Sequence, residues 1–190
     1  IWKFPYITGE NGGGAFVLIY LACIFLIGVP VLIAETMIGR RGGQSPVATM
    51  RTLTRTEGTS RGWRAIGWNG VIASFLVLSF YAVIGGWALV YIGKAATGLF
   101  TGAMNSGSFG KAVSFMFSPD FSKLTTAGVL TALGHAAFTL SIGIGVLMAY
   151  GSYLPKTVNI ARTAMTIAVL DTNVALLAGL AIFPLVFANG

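Results

Sequence analysis

Asp171 is the residue whose type and setting most constrain the chemistry. It stands inside the apolar run Thr163–Asn189. A carboxylate at such a place costs roughly 2.5–3.5 kcal/mol on insertion scales and so faces a polar interior. An acid placed there ligates a cation or carries a proton. Its oxygen suits a hard ion such as sodium, by the logic that gives calcium and magnesium their oxygen ligands. A structural hydrogen bond to a neighbouring helix is the competing reading. His135 and Thr139 lie four apart and share a helical face. Beside an intramembrane acid, His135 is a candidate proton site, because its charge changes near neutral pH; alone it reads as a packed core histidine. Tyr81 carries a hydroxyl in mid-run that needs a partner, with ordinary packing as the alternative. Glu35 closes an apolar run, either as an interfacial acid or as a buried one that holds freed N–H groups. No nucleophile–base pair, zinc spacing or phosphate loop accompanies these residues, and GENGGG at 9–14 lacks a following Lys-Ser/Thr. The chain is not expected to be an enzyme.

The stretch that must position these groups is Gly134–Leu154, GHAAFTLSIGIGVLMAYGSYL. It is apolar enough for lipid, yet Ser141, Gly143 and Gly145 crowd its middle, and two glycines in three residues weaken a helical turn. Unpaired backbone cannot face lipid, so a break here faces protein or a water-filled cavity. Broken helices near the bilayer midplane are how many secondary transporters build substrate and ion sites. The alternative is that the glycines only let another helix approach closely.

Of the 190 residues, 55% are hydrophobic and only 9% charged, against about 25% charged in a soluble domain. The chain is therefore an all-α polytopic membrane protein in contact with the lipid bilayer. Its net charge of +7 is to be read loop by loop for orientation and not as a sign of nucleic-acid binding. The single cysteine, Cys23, excludes an internal disulfide framework. The opening Ile1-Trp2-Lys3 without a methionine suggests a partial chain.

One membrane domain, 1–190, is expected, with residues 1–14 at the external end of a truncated first helix. Residues 15–39 form a span, with twenty uncharged residues covering about 30 Å and Pro30 kinking it. The loop 40–64 holds six arginines against one acid and is cytoplasmic by the positive-inside rule. Residues 65–93 return outward, with Trp63, Trp68 and Trp87 near the two ends. The external segment 94–124 contains SFGKAVSFMF, an expected short surface helix, and Ser118 before Pro119-Asp120 reads as a helix start. Residues 125–154 form the broken span, 155–162 a second basic inner loop, and 163–189 the last span.

Several strings resemble the neurotransmitter:sodium symporter family. IWKFPYITGENGGGAF is similar to its first-helix signature and AETMIGRRGG to its second-helix exit. SPDFSKL with GHAAFTLSIGIGVLMAYGSYL resembles the approach and unwound sixth helix of its bacterial amino-acid transporters, and VLDTN its seventh-helix sodium region. The resemblance implies part of an inverted-repeat symporter fold: the outer half of helix 1 with helices 2–3 and 6–7. Helices 4, 5 and 8 onward have no counterpart. It also implies sodium-coupled symport of an amino acid, across a bacterial inner (plasma) membrane. A non-transporting membrane remnant or helix-packing partner is the alternative.

Carried over by position, the resemblance implies that the carbonyls of Phe138 and Thr139 and the hydroxyl of Ser141 receive a substrate ammonium. Tyr81 would donate to the substrate carboxylate, and Phe138 would act as a lid or gate. Val77, Ser141 and Ile144 would line the side-chain pocket, and Thr139 and Asp171 would give oxygens to sodium. Tyr20, His135 and Asp171 fall on positions linked to an anion or proton. Asp171 replaces a common Asn and would make chloride unnecessary, while His135 replaces a usual Gln. Lys3 stands where an outer-gate Arg lies. Glu35, with Gly143 and Gly145, matches the structural contact to the unwound helix.

The orientation is testable by single-cysteine labelling in a Cys23→Ser background. Residues 40–64 and 155–162 should be reached only from the cytoplasmic side, and 94–124 only from outside. Labelling of 40–64 from outside would reverse the orientation.

Overall fold

A computed structural model describes residues 3–96 and 108–189. The expectations for Ile1, Trp2 and the stretch 97–107 lie outside the described residues, as does the side chain of Trp87. The described chain is helical: α1 (Lys3–Glu10), α2 (Gly14–Cys23), α3 (Val29–Gly42), α4 (Pro46–Thr56), α5 (Arg64–Ala96), α6 (Ser108–Phe117), α7 (Thr126–Thr139), α8 (Val146–Tyr153) and α9 (Ile160–Asn189). Among the described residues, three helical stretches are long and apolar enough to cross a membrane: Gly14–Gly42, Arg61–Gly86 and Ile160–Pro184. The remaining apolar run is split into α7 and α8. At 14 and 8 residues these are about 21 and 12 Å long, so neither alone crosses a hydrocarbon core of about 30 Å.

Proline and capping residues account for the punctuation. Between α2 and α3 the helix widens into a π-helical turn, Ile24–Gly28. Pro30 has no N–H and its ring would strike the carbonyl four residues back, so the wider turn lets the helix continue past it. Ser118 does not start a helix. Its N–H closes the end of α6 on the Ser114 carbonyl (2.8 Å). The start of α7 belongs instead to Thr125, whose hydroxyl accepts from the Gly128 N–H at 3.0 Å. Pro119 and a short 3₁₀ turn capped by Asp120 separate the two.

The chain divides into two compact units. The first is built from described residues within Ile1–Ile24, Ile84–Ala136 and Val169–Gly190. Its core holds Phe4, Phe16 and Tyr20, all fully buried. The rings of Phe115, Phe183 and Phe187 form a second cluster with centroids 5.0–6.0 Å apart. The helix expected over SFGKAVSFMF is α6; it buries Ser108, Ala112 and Met116 at intervals of four and leaves Phe109 and Phe117 exposed.

The second unit is built from Phe25–Val83 and Ala137–Ala168. Its centre is the crossing of α3 and α8, which is nearly backbone on backbone. A Cβ at Gly39 would stand 2.1 Å from the Met148 carbonyl oxygen, and one at Gly151 would stand 2.3 Å from that of Thr36. Small residues allow this approach, and in lipid close packing is a main source of helix association.

α7 ends in a Schellman closure. The Ile142 N–H bonds to the Ala137 carbonyl and the Ser141 N–H to that of Phe138, both at 3.1 Å. The left-handed residue this closure requires is Ser141 (φ 55°), where glycine is usual. Gly143 (φ 82°) and Gly145 (φ 73°) then carry the chain to α8. The break lies where the glycines are, but a serine makes the reversal.

Two outcomes follow for thermal melting of the purified chain in detergent. Gly39→Ala should destabilise by about 1–3 kcal/mol, the usual cost of overpacking, whereas Gly85→Ala, which meets open space, should be neutral or stabilising by up to about 1 kcal/mol. Ser141→Gly should stabilise by about 1 kcal/mol by removing the left-handed penalty, while Ser141→Val should destabilise. Equal effects for Gly39→Ala and Gly85→Ala, or destabilisation by Ser141→Gly, would contradict this backbone.

Candidate functional site

The break at 140–145 leaves polar backbone groups that two distant side chains take up. Glu35 on α3 is buried, and its Oε1 accepts from the Gly143 N–H at 2.5 Å. The hydroxyl of Ser74 on α5 donates to the Ile144 carbonyl at 3.0 Å. Glu35 is thus the buried acid holding a freed N–H, not an interfacial one. No turn or loop N–H among the described residues reaches the carbonyl of Thr139 or Leu140. The Phe138 carbonyl already accepts from Ser141, though an sp² oxygen has a second lone pair.

The facing surface is one stripe of α5. Gly67, Gly70, Ser74, Val77 and Tyr81 follow at i, i+3, i+7, i+10 and i+14, on one side of a helix otherwise mostly exposed. A Cβ on Gly70 would lie 3.0 Å from the Cα of Gly145, so α5 packs directly on the break. Further along, the rings of Tyr81 and Phe138 stack with centroids 6.2 Å apart and planes inclined by 13°. Both remain over 40% exposed. Val77, Thr139, Ser141 and Ile144 are each half-buried. The second unit therefore brings together Tyr81, Phe138, Val77, Thr139, Ser141, Ile144, Glu35, Gly143 and Gly145.

The first unit holds Tyr20, His135, Asp171 and Lys3. Phe4 lies against both Tyr20 (5.0 Å) and His135 (5.8 Å), and Tyr20 lies 5.4 Å from His135. Asp171 is half-buried, and its Oδ2 has no hydrogen-bond partner among the described residues; neither has the hydroxyl of the adjacent Thr172. Buried polar atoms are nearly always satisfied. As consecutive residues on α9 the two do not face each other, so each marks its own unmet polar atom. No cluster of three His, Cys, Asp or Glu suited to a metal occurs among the described residues. Lys3 is exposed and makes no ion pair among the described residues.

Ser74, Thr172 and Phe4 were not singled out from the sequence. Ser74 was detectable, because it completes the small-residue stripe that leads to Val77 and Tyr81. Phe4 and Thr172 carry no comparable signal.

The model of the sodium:neurotransmitter symporter family matches residues 1–104 and 96–188. All of the chain aligns with the uncharacterised sodium-dependent transporter YhdH of Bacillus subtilis, at 36% identity and over 55% of that protein. An uncharacterised sodium-dependent transporter of Haemophilus influenzae is 28% identical, again over the whole chain and 57% of the relative. The crystal structure of MhsT in complex with L-phenylalanine superposes on all of the chain and 57% of its own length, with TM-score 0.86 and 34% identity. The chain spans about half the length of the curated relatives it matches. The YhdH alignment places 190 residues over 255 positions, so at least 65 positions have no counterpart here. With both stretches of the family model accounted for from one end of the chain to the other, this multi-pass membrane chain belongs to the sodium:neurotransmitter symporter family.

Proposed function

We propose that this chain is a fragment of a sodium-coupled amino-acid symporter of a plasma membrane and carries its broken helix, moving substrate without bond-changing catalysis. The observation that carries the reading is the break at 140–145. Its backbone is held from outside by Glu35 and Ser74, while the Thr139 and Leu140 carbonyls stay free of turn donors. Half-helix ends and unwound carbonyls of this kind receive ions and charged substrate groups in transporters. MhsT, on which the chain superposes, was crystallised with an amino acid, which supports that substrate class.

Each residue has a chemical task in this reading. The carbonyls of Phe138 and Thr139 and the Ser141 hydroxyl accept from the substrate ammonium. The Tyr81 hydroxyl donates to its carboxylate, and Phe138 covers it. Val77 and Ile144 give an apolar wall. In the second unit Thr139 offers an oxygen donor, and in the first unit Asp171 offers one whose charge offsets that of sodium. Tyr20 and His135 line the surroundings of an anion- or proton-linked group, and Lys3 serves an outer gate.

Binding of L-phenylalanine to the purified chain in nanodiscs, in sodium and with sodium replaced by choline, tests the proposal. Binding should require sodium. Asp171→Asn should weaken sodium dependence about tenfold or more, since a charged contact is worth about 1.5–3 kcal/mol, and Tyr81→Phe should weaken phenylalanine binding at unchanged sodium affinity. The positions missing from the YhdH alignment favour the other reading, a non-transporting remnant. A chain that folds but binds neither sodium nor any amino acid would establish it.

A further inference from the structure

The outward face of α3 has a chemistry that amino-acid transport does not use. Ala34, Met37, Ile38 and Arg41 follow at i, i+3, i+4 and i+7 and form one exposed stripe. It lies opposite Leu32, Glu35, Thr36 and Gly39, which are buried. At its basic end a cavity of about 670 Å³ is lined by Ala34, Met37, Ile38, Arg40, Arg41 and Lys156. Lys156 comes from the loop between α8 and α9. That loop is tied to α3 by Arg40, whose Nη1 donates to the Val158 carbonyl at 2.8 Å. The cavity is thus built from two segments far apart in the chain, all within the second unit. Arg41 pairs with Glu57, whereas Arg40 and Lys156 meet no acid among the described residues. Two uncompensated cations therefore stand at the head of an apolar groove, at the end of a helix of membrane-crossing length.

We propose that this cavity binds an anionic phospholipid of the cytoplasmic leaflet, with its phosphodiester between Arg40 and Lys156 and an acyl chain along Ala34, Met37 and Ile38. Guanidinium N–H groups match phosphate oxygens, and Arg40 has donors beyond the one spent on Val158. The lysine adds a mobile point charge. The apolar wall separates a lipid from a free anion: a soluble phosphate uses only the cations, while a phospholipid uses both. Basic pockets at the cytoplasmic side of membrane helices select anionic headgroups for this reason. The inference does not depend on what the helix break binds.

Native mass spectrometry of the purified chain with phosphatidylglycerol and phosphatidylcholine tests it. Phosphatidylglycerol should be retained preferentially. Lys156→Gln, at an exposed position without a partner, should lower its affinity about fivefold, and Arg40→Gln with Lys156→Gln about thirtyfold, at about 1 kcal/mol per basic group. Met37→Ser with Ile38→Ser should also weaken it. Arg51→Gln with Arg55→Gln, exposed on α4, should leave it unchanged. Equal retention of the two lipids overturns the proposal, as does an equal loss in the α4 pair, which would mean diffuse charge. Displacement by inorganic phosphate, with no effect of the Met37/Ile38 pair, would reduce the cavity to a soluble-anion site and likewise overturn it.

Discussion

Backbone polarity in hydrocarbon is the constraint on which the second unit depends. A helix that stops at Thr139 and restarts at Val146 releases N–H and carbonyl groups that can face only protein or a polar cavity, not lipid. The Schellman closure takes the Ser141 and Ile142 N–H groups. Glu35 takes that of Gly143, and Ser74 binds the Ile144 carbonyl. A hydrogen bond to a charged group is worth about 1.5–3 kcal/mol, and an unmet buried donor costs a similar amount. An acid on α3 and a hydroxyl on α5 thus support the break from neighbouring helices.

That reach is set by glycine. Glu35 and Gly39 lie four apart on one face of α3, and the near-contact of Gly39 with the Met148 backbone brings that face onto α8. On α5, Gly70 against Gly145 does the same for Ser74, one turn further along. Apolar side chains gain little from leaving lipid for one another, so these approaches rest on close packing. A methyl group at Gly39 would push away the acid as well as the helix. Packing and the polar support of the break are one problem with one solution.

The polar atoms left over mark where something else is expected. Asp171 Oδ2, Thr172 Oγ1 and the second oxygen of Glu35 are buried without partners among the described residues. Native structures leave few such atoms. On α3 the division is by face: Glu35 points inward to the broken helix, and Ala34, Met37 and Ile38 point outward to a groove ending in Arg40, Arg41 and Lys156. One helix thus packs on the broken helix with one face and leaves the other exposed beside a basic cavity.

The sequence by itself determined that this is a membrane chain, where its apolar runs lie, that the run through 134–154 is interrupted, and which family it belongs to. These are matters of composition, run length and local string, and they need no knowledge of what lies alongside. It placed Glu35 as a possible partner of freed N–H groups but could not choose between that and an interfacial acid. Only the tertiary structure decided the rest. Glycine is the usual left-handed residue, so local propensity points to Gly143 or Gly145; Ser141 takes the position because the closure and the flanking contacts set the register there. Thr125 displaces Ser118 as the start of α7, because Pro119 and the Asp120 turn use up the intervening residues. Ser74, 70 positions from Ile144, and Glu35, 108 from Gly143, find their partners only when helices meet. No local pattern encodes which backbone gap a side chain will fill. The close approach of one helix to another decides it.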